Sequence, residues 1–237
     1  MKMIVASTST LYGGRYLEYL LPELSKFFEN VSSLLFVPYA RPGGMSHDDY
    51  THRVRSAFQP LGIEVKGIHE FDNARDAVKK AEALFVGGGN TFVLLDRLYQ
   101  EDLLQVMRES VRSGTPYLGT SAGSNITGPN IMTTNDMPIV DPPSLKALDL
   151  LPFNLNPHYL DPDPDSKHQG ETRETRIAEF HTYNEQVVIG LREGSWIEVR
   201  DEQMLLKGSL SARIFKPGFK AYELDSGQDL SLLTGQQ

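Results

Sequence analysis

A single serine stands between two glycines in Gly119-Thr120-Ser121-Ala122-Gly123. The preceding Thr115-Pro116-Tyr117-Leu118 reads as a short buried strand, and the following Ser124-Asn125-Ile126-Thr127 as the opening of a helix. A serine on a sharp strand-to-helix turn is the nucleophile-elbow pattern. The glycines let the backbone bend without a Cβ clash, and the helix start leaves N–H groups unpaired beside the hydroxyl. Those donors, with the positive helix end, stabilise an oxyanion when Ser121 attacks a carbonyl. The competing reading is a serine that merely caps a helix.

A serine nucleophile needs a base, and the base an acid that orients it. His47 and His52 fall on different faces of one predicted surface helix, His69 sits beside Glu70, and His168 and His181 lie in polar contexts. His158 differs, because Asn156-Pro157 fixes the chain direction before it at the end of a predicted strand. It also lies downstream of the elbow, the order that serine enzymes of this architecture use. Two acids are candidates. Asp136 lies between Ser121 and His158 in Thr133-Thr134-Asn135-Asp136-Met137-Pro138, and Glu193 follows an apolar strand in Leu191-Arg192-Glu193-Gly194-Ser195-Trp196. Their plain alternatives are an Asx-turn and turn polarity. The order Ser121, Asp136, His158 favours Asp136, and the residues themselves leave both open.

A second glycine turn, Gly87-Gly88-Gly89-Asn90, follows the strand Ala83-Leu84-Phe85-Val86 and can supply an oxyanion N–H. No Gly-Lys-Ser/Thr follows it, so it is not a P-loop, and it is a poor dinucleotide fingerprint. No His-Glu-x-x-His element or carboxylate cluster calls for a metal, and no cofactor is expected.

The elements that must position these residues alternate through the first half. Strands are predicted at 3–7, 33–38, 63–68, 83–86 and before Ser121, with helices at 17–29, 47–59, 74–81 and 92–113, the last with a break near Glu101-Asp102. That order implies an α/β fold with a mostly parallel sheet and helices on both faces, ligands binding beyond the carboxyl ends of the strands. Both glycine turns belong on that edge. Residues 130–149 read as a long ordered loop, and 172–183 as a helix. The short strands at 187–191, 196–199, 204–206 and 212–215 suggest an antiparallel C-terminal extension of the sheet. With no repeat and no low-complexity linker, one domain over 1–237 is the simplest reading.

The chain has no cysteine, which excludes disulfides, zinc–thiolate sites and a thiol nucleophile. A net charge of −8 and no basic stripe exclude nucleic acid as a partner, and mean that an anionic substrate needs a local cation. No apolar run is long enough to span a bilayer, and the start is too short for a signal peptide, so a cytoplasmic protein without membrane partners is expected.

Taken together, Gly87-Gly88-Gly89-Asn90-Thr91, Gly119-Thr120-Ser121-Ala122-Gly123, Thr133-Thr134-Asn135-Asp136-Met137-Pro138-Ile139-Val140-Asp141-Pro142, Asn156-Pro157-His158 and Gly170-Glu171-Thr172-Arg173-Glu174 resemble serine peptidase family S51, the α-aspartyl dipeptidases. The resemblance covers nearly the whole chain. It implies a fold similar to the class I glutamine amidotransferases, with serine where those enzymes carry cysteine, and metal-free hydrolysis of dipeptides with an N-terminal aspartate through an acyl-enzyme. Ser121 would then be the nucleophile, His158 the base, and Asp136 or Glu193 the third member. Amidotransferases carry a glutamate two residues after their histidine; here that residue is Leu160, so the acid comes from elsewhere. The N–H groups of Gly89 and Ala122 would hold the oxyanion. Arg173 would select the aspartyl carboxylate through its planar donor fork, with a further hydrogen bond from Asn90. A cyanophycinase-like peptidase and a non-catalytic small-molecule anion sensor on the same scaffold are the alternatives, and a homodimer is left open.

Overall fold

The computed structural model describes residues 1–163, 165, 167 and 169–233; His168 lies outside them. The alternation read from the sequence is realised as β1 (Lys2–Ala6), α1 (Leu21–Phe27), β2 (Ser33–Val37), α2 (His47–Phe58), β3 (Glu64–Gly67), α3 (Ala74–Lys80) and β4 (Leu84–Val86). There follow α4 (Thr91–Gln100), α5 (Leu104–Arg112), β5 (Tyr117–Thr120) and the short α6 (Ala122–Asn125). The expected long helix after β4 is broken between α4 and α5, where Asp102 adopts φ 50°.

The main sheet has the order β3-β2-β4-β5-β1, all parallel. The inner strands are apolar at nearly every position because both faces are covered, whereas the edge strand β3 alternates exposed Glu64 and Lys66 with buried Val65 and Gly67. Period-two alternation divides them: Met3, Val5, Leu35, Val37, Leu84, Val86 and Tyr117 pack with α3, α4 and α5, whereas Ile4, Ala6, Leu34, Phe36, Phe85 and Leu118 pack with α1 and α2. Asn90 caps α4, its side-chain oxygen accepting from the N–H groups of Phe92 and Val93.

The second half comprises β6 (Asn154–Pro157), α7 (Arg173–Phe180), β7 (Val188–Leu191), β8 (Ser195–Arg200), β9 (Gln203–Gly208), β10 (Ala212–Phe215) and β11 (Tyr222–Leu224). Here the sequence expectation needs a correction. Strands β8 and β9 do extend the main sheet antiparallel beyond β1, but β7 and β10 leave it for a second sheet of order β11-β10-β7-β6. Within that sheet β6 and β7 run parallel, pairing Asn156 with Gly190 and Pro157 with Leu191. A turn of Arg192, Glu193 and Gly194 is all that joins β7 to β8, so the chain switches sheets within it.

Arg192, with its side chain only 14% exposed, ties this second sheet together. It donates to Asp161 at 2.6 and 2.8 Å, to Glu223 at 2.8 Å and to the Ser211 carbonyl at 2.8 Å. Arg213 of β10 joins Glu223 to Glu174 of α7, each at 3.2 Å, which anchors α7 to the sheet. Among the described residues no helix is long and apolar enough to cross a membrane.

The hydrogen bonds from Arg192, with those from Ser211 and Arg213, hold the Glu223 carboxyl at about 2, against the usual 4.5. An acid whose folded pKa is depressed stabilises the fold fully above its unfolded value and loses that contribution as pH falls toward the folded one. Thermal melts of Glu223→Gln are therefore expected to fall below wild type at about pH 7, with the gap closing toward about pH 3. A gap that stays constant over that range would contradict the ion-pair account.

Candidate active site

Strand β5 delivers Ser121 to the carboxyl edge of the main sheet, where the chain turns into α6. Ser121 has φ 53° and ψ −112°, a conformation that costs a non-glycine residue about 1–3 kcal/mol. The backbone on either side holds it there. Its N–H donates to the Ala6 carbonyl at 3.1 Å, and its carbonyl accepts from the N–H groups of Ser124 and Asn125 at 2.9 Å. A Cβ at Gly123 would run into the Val86 carbonyl, so this turn closes on β4 only with glycine there. The Ser121 side chain makes no capping bond to α6, which disposes of the helix-cap alternative.

His158 follows β6 with φ 55°. Its Nε2 lies 2.8 Å from Ser121 Oγ and its Nδ1 2.6 Å from Glu193 Oε1. The β6–β7 register explains the second contact. Pro157 pairs with Leu191, so the next residue of one strand and the turn after the other emerge side by side. Ser7, fully buried at the end of β1, holds the arrangement from below. Its Oγ accepts from the His158 N–H at 2.9 Å and donates to the Leu191 carbonyl at 2.7 Å. The role of Ser7 escaped sequence reading; the only signal for it was a hydroxyl at the carboxyl end of a strand bound for the same edge.

Asp136 is elsewhere. Its Oδ2 accepts from the N–H and hydroxyl of Thr91 at 2.7 and 2.6 Å and from the Thr134 hydroxyl at 3.1 Å. The preference for it from chain order is thus corrected by its contacts: the carboxylate sits on the first turn of α4, a favourable position for negative charge, and Glu193 is the acid at the imidazole. Asn90 caps α4 with Oδ1 and donates one Nδ2 hydrogen to the Met137 carbonyl at 2.9 Å, which leaves the second.

Gly88 backs the serine closely, for a Cβ there would lie 2.9 Å from Ser121 Cβ. Gly89 has φ 147° and presses on the Ala40 carbonyl. Among the described residues, the N–H groups of Gly89 and Ala122 meet no acceptor. Arg173 opens α7 beside a cavity of about 310 Å3 lined also by Leu160, Asp161, Asp163 and Arg176. Among the described residues its guanidinium has no hydrogen-bond or ion-pair partner. Burial and neighbouring Arg176 depress its pKa, with the charge of Asp136 opposing them. Asp48, His69 and Glu70 come near enough to one another to share a metal. Yet Asp48 already bonds His69, and Glu70 is paired with Arg55.

The model of peptidase family S51 matches residues 3–207. The chain belongs to peptidase family S51. It is 48% identical to a "Peptidase E" of Streptomyces coelicolor, over 98% of this chain and 95% of the relative. It is 47% identical to a "Probable alpha-aspartyl dipeptidase" of Drosophila melanogaster, over 98% and 96%. A crystal structure of a peptidase from an acI-B1 actinobacterium shares the fold, with a TM-score of 0.71 and 18% identity over 97% of this chain and 96% of that one. This member of S51 is a serine-type peptidase.

The different contacts of the two acids separate their variants. Glu193→Gln is expected to lower kcat by about 10²–10⁴-fold, because the imidazole loses its orienting charge, with little change in melting temperature. Asp136→Asn is expected chiefly to destabilise, by about 0.5–2 kcal/mol, through the start of α4. Equal losses of turnover in both would contradict the geometry.

Proposed function

We propose that this peptidase is a serine dipeptidase that hydrolyses dipeptides with an N-terminal aspartate through an acyl-enzyme. The observation that carries the reading is the hydrogen-bonded chain Ser121–His158–Glu193. His158 Nε2 takes the Ser121 proton as Oγ attacks the carbonyl carbon of the aspartyl residue. Glu193, on Nδ1, keeps the tautomer that leaves Nε2 basic and stabilises the imidazolium. The Gly89 and Ala122 N–H groups bind the oxyanion. The imidazolium then protonates the departing amine, the C–N bond breaks, and water hydrolyses the ester by the reverse proton path.

Arg173 supplies the aspartyl preference. A protein of net charge −8 repels an acidic substrate in general, so selection needs a cation held without a partner of its own. The half-buried Arg173 meets that need, and it feels the charge of Asp136, whose carboxylate sits on Thr91 just beyond the Gly87–Gly89 turn. Support also comes from the relatives' names, two of which specify peptidase E and alpha-aspartyl dipeptidase. An anion sensor has no use for a nucleophile bonded to a base and an acid, and no name among these relatives points to a cyanophycinase. We read residues 1–237 as one domain, since Ser121 comes from the main sheet and His158 from the second. The cytoplasm is the compartment we propose.

Two outcomes are expected with Asp-Leu as substrate. Ser121→Ala abolishes turnover, and retention of more than about 1% would exclude it as nucleophile. Arg173→Met erases the preference for Asp-Leu over Asn-Leu in kcat/KM; a variant that keeps the wild-type ratio would remove Arg173 from the site.

A further inference from the structure

The geometry points to Arg41 as the anchor for the free C-terminal carboxylate of the dipeptide, a subsite that confines hydrolysis to short substrates. This rests on the dipeptidase reading above and adds the leaving-group side to it. Arg41 stands in the loop after β2, immediately beyond Ala40. The Ala40 carbonyl accepts from the Asn90 N–H at 2.7 Å and lies hard against Gly89. The backbone of Arg41 is therefore held beside the glycine turn that faces Ser121. Its guanidinium carbon lies 5.3 Å from the centre of the Tyr50 ring, and Tyr50 donates its hydroxyl proton to the Gly88 carbonyl at 3.1 Å. A cation is thus stacked on the same tyrosine that braces the oxyanion turn.

Among the described residues Arg41 has no hydrogen bond and no ion pair, and its Nε is buried without a partner. A buried guanidinium N–H normally finds an acceptor. The neighbouring arginines are engaged: Arg15 pairs with Glu18, and Arg53 lies over the ring of Tyr16. The placement also complements Arg173. Asp136, whose charge acts on Arg173, sits on the first turn of α4, which covers one face of the main sheet, while Tyr50 belongs to α2 on the other. A dipeptide lying across Ser121 with its aspartyl side chain toward Arg173 sends its second residue toward Arg41. The carboxylate of that residue is two bonds from the scissile nitrogen, so it stays close to the oxyanion turn. A longer peptide carries a neutral amide at that point and leaves the guanidinium unpaired.

The test compares kcat/KM for Asp-Leu and for Asp-leucinamide, which lacks only the terminal charge, in wild type and Arg41→Met. Methionine keeps an apolar stem on Tyr50 while deleting the donors. Wild type is expected to prefer the free acid by about 10- to 100-fold, the range for a charged hydrogen-bonded pair. Arg41→Met should bring Asp-Leu down to the amide's level and leave the amide unchanged. A variant that lowers both substrates equally, or keeps the wild-type ratio, overturns the proposal, since Arg41 then only packs against Tyr50. A wild type that hydrolyses both substrates alike overturns it while leaving the dipeptidase reading intact. A wild type inactive on Asp-Leu overturns both.

Discussion

The imidazole of His158 stands between two oxygens, 2.8 Å from the serine and 2.6 Å from the glutamate, and most of the fold at this edge exists to keep it there. Each of the three groups arrives from a different place. Ser121 ends β5 in the middle of the main sheet, His158 ends β6 in the second sheet, and Glu193 lies in the turn where the chain passes from the second sheet to the first. Their meeting depends on how the two sheets are joined. Ser7 is the joint: at the end of β1 it bonds both the His158 N–H and the Leu191 carbonyl, and its own N–H donates to Ser195 at the start of β8.

The cost of the arrangement is visible in the backbone. Ser121 and His158 both adopt positive φ although neither is glycine. Such strain persists only where surrounding contacts over-determine it. For Ser121 these are the fully buried strands β4 and β5, the buried carboxyl end of β1 and the close approach of Gly123 to Val86. For His158 they are Ser7 and the pairing of Tyr159 N–H with Leu191. Burial of Tyr19, reinforced by the charge of Glu193, raises its pKa. Its hydroxyl donates to the Thr8 carbonyl at 2.6 Å.

The first half of the fold was legible because parallel strands covered on both faces are short apolar runs such as Leu34-Leu35-Phe36-Val37, and the helices between them carry a 3.6-residue period. The elbow was legible for a local reason, since a sharp turn against a strand demands glycine at fixed offsets. The acid was not. Asp136 and Glu193 each sit in a polar turn near an apolar strand, and what separates them is a pairing between Pro157 and Leu191, far apart in the chain. Local pattern carries no information on that register. The same ignorance hid the second sheet, because β7 and β10 look like the strands β8 and β9 that extend the first. Asn90 was legible only in part: its capping contacts are local, since an asparagine just before a helix is first of all a cap, whereas its bond to the Met137 carbonyl crosses to a distant loop.

The central claim is that Ser121 is a nucleophile made reactive by His158 and Glu193. The direct measurement is covalent labelling with a diphenyl phosphonate analogue of aspartate, read by peptide mass spectrometry. Attack by Oγ on phosphorus expels phenoxide and leaves a stable adduct. The adduct is expected on the peptide that contains Ser121, forming far more slowly when Glu193 is replaced by glutamine. An unlabelled protein, or an adduct on any other residue, would contradict the account.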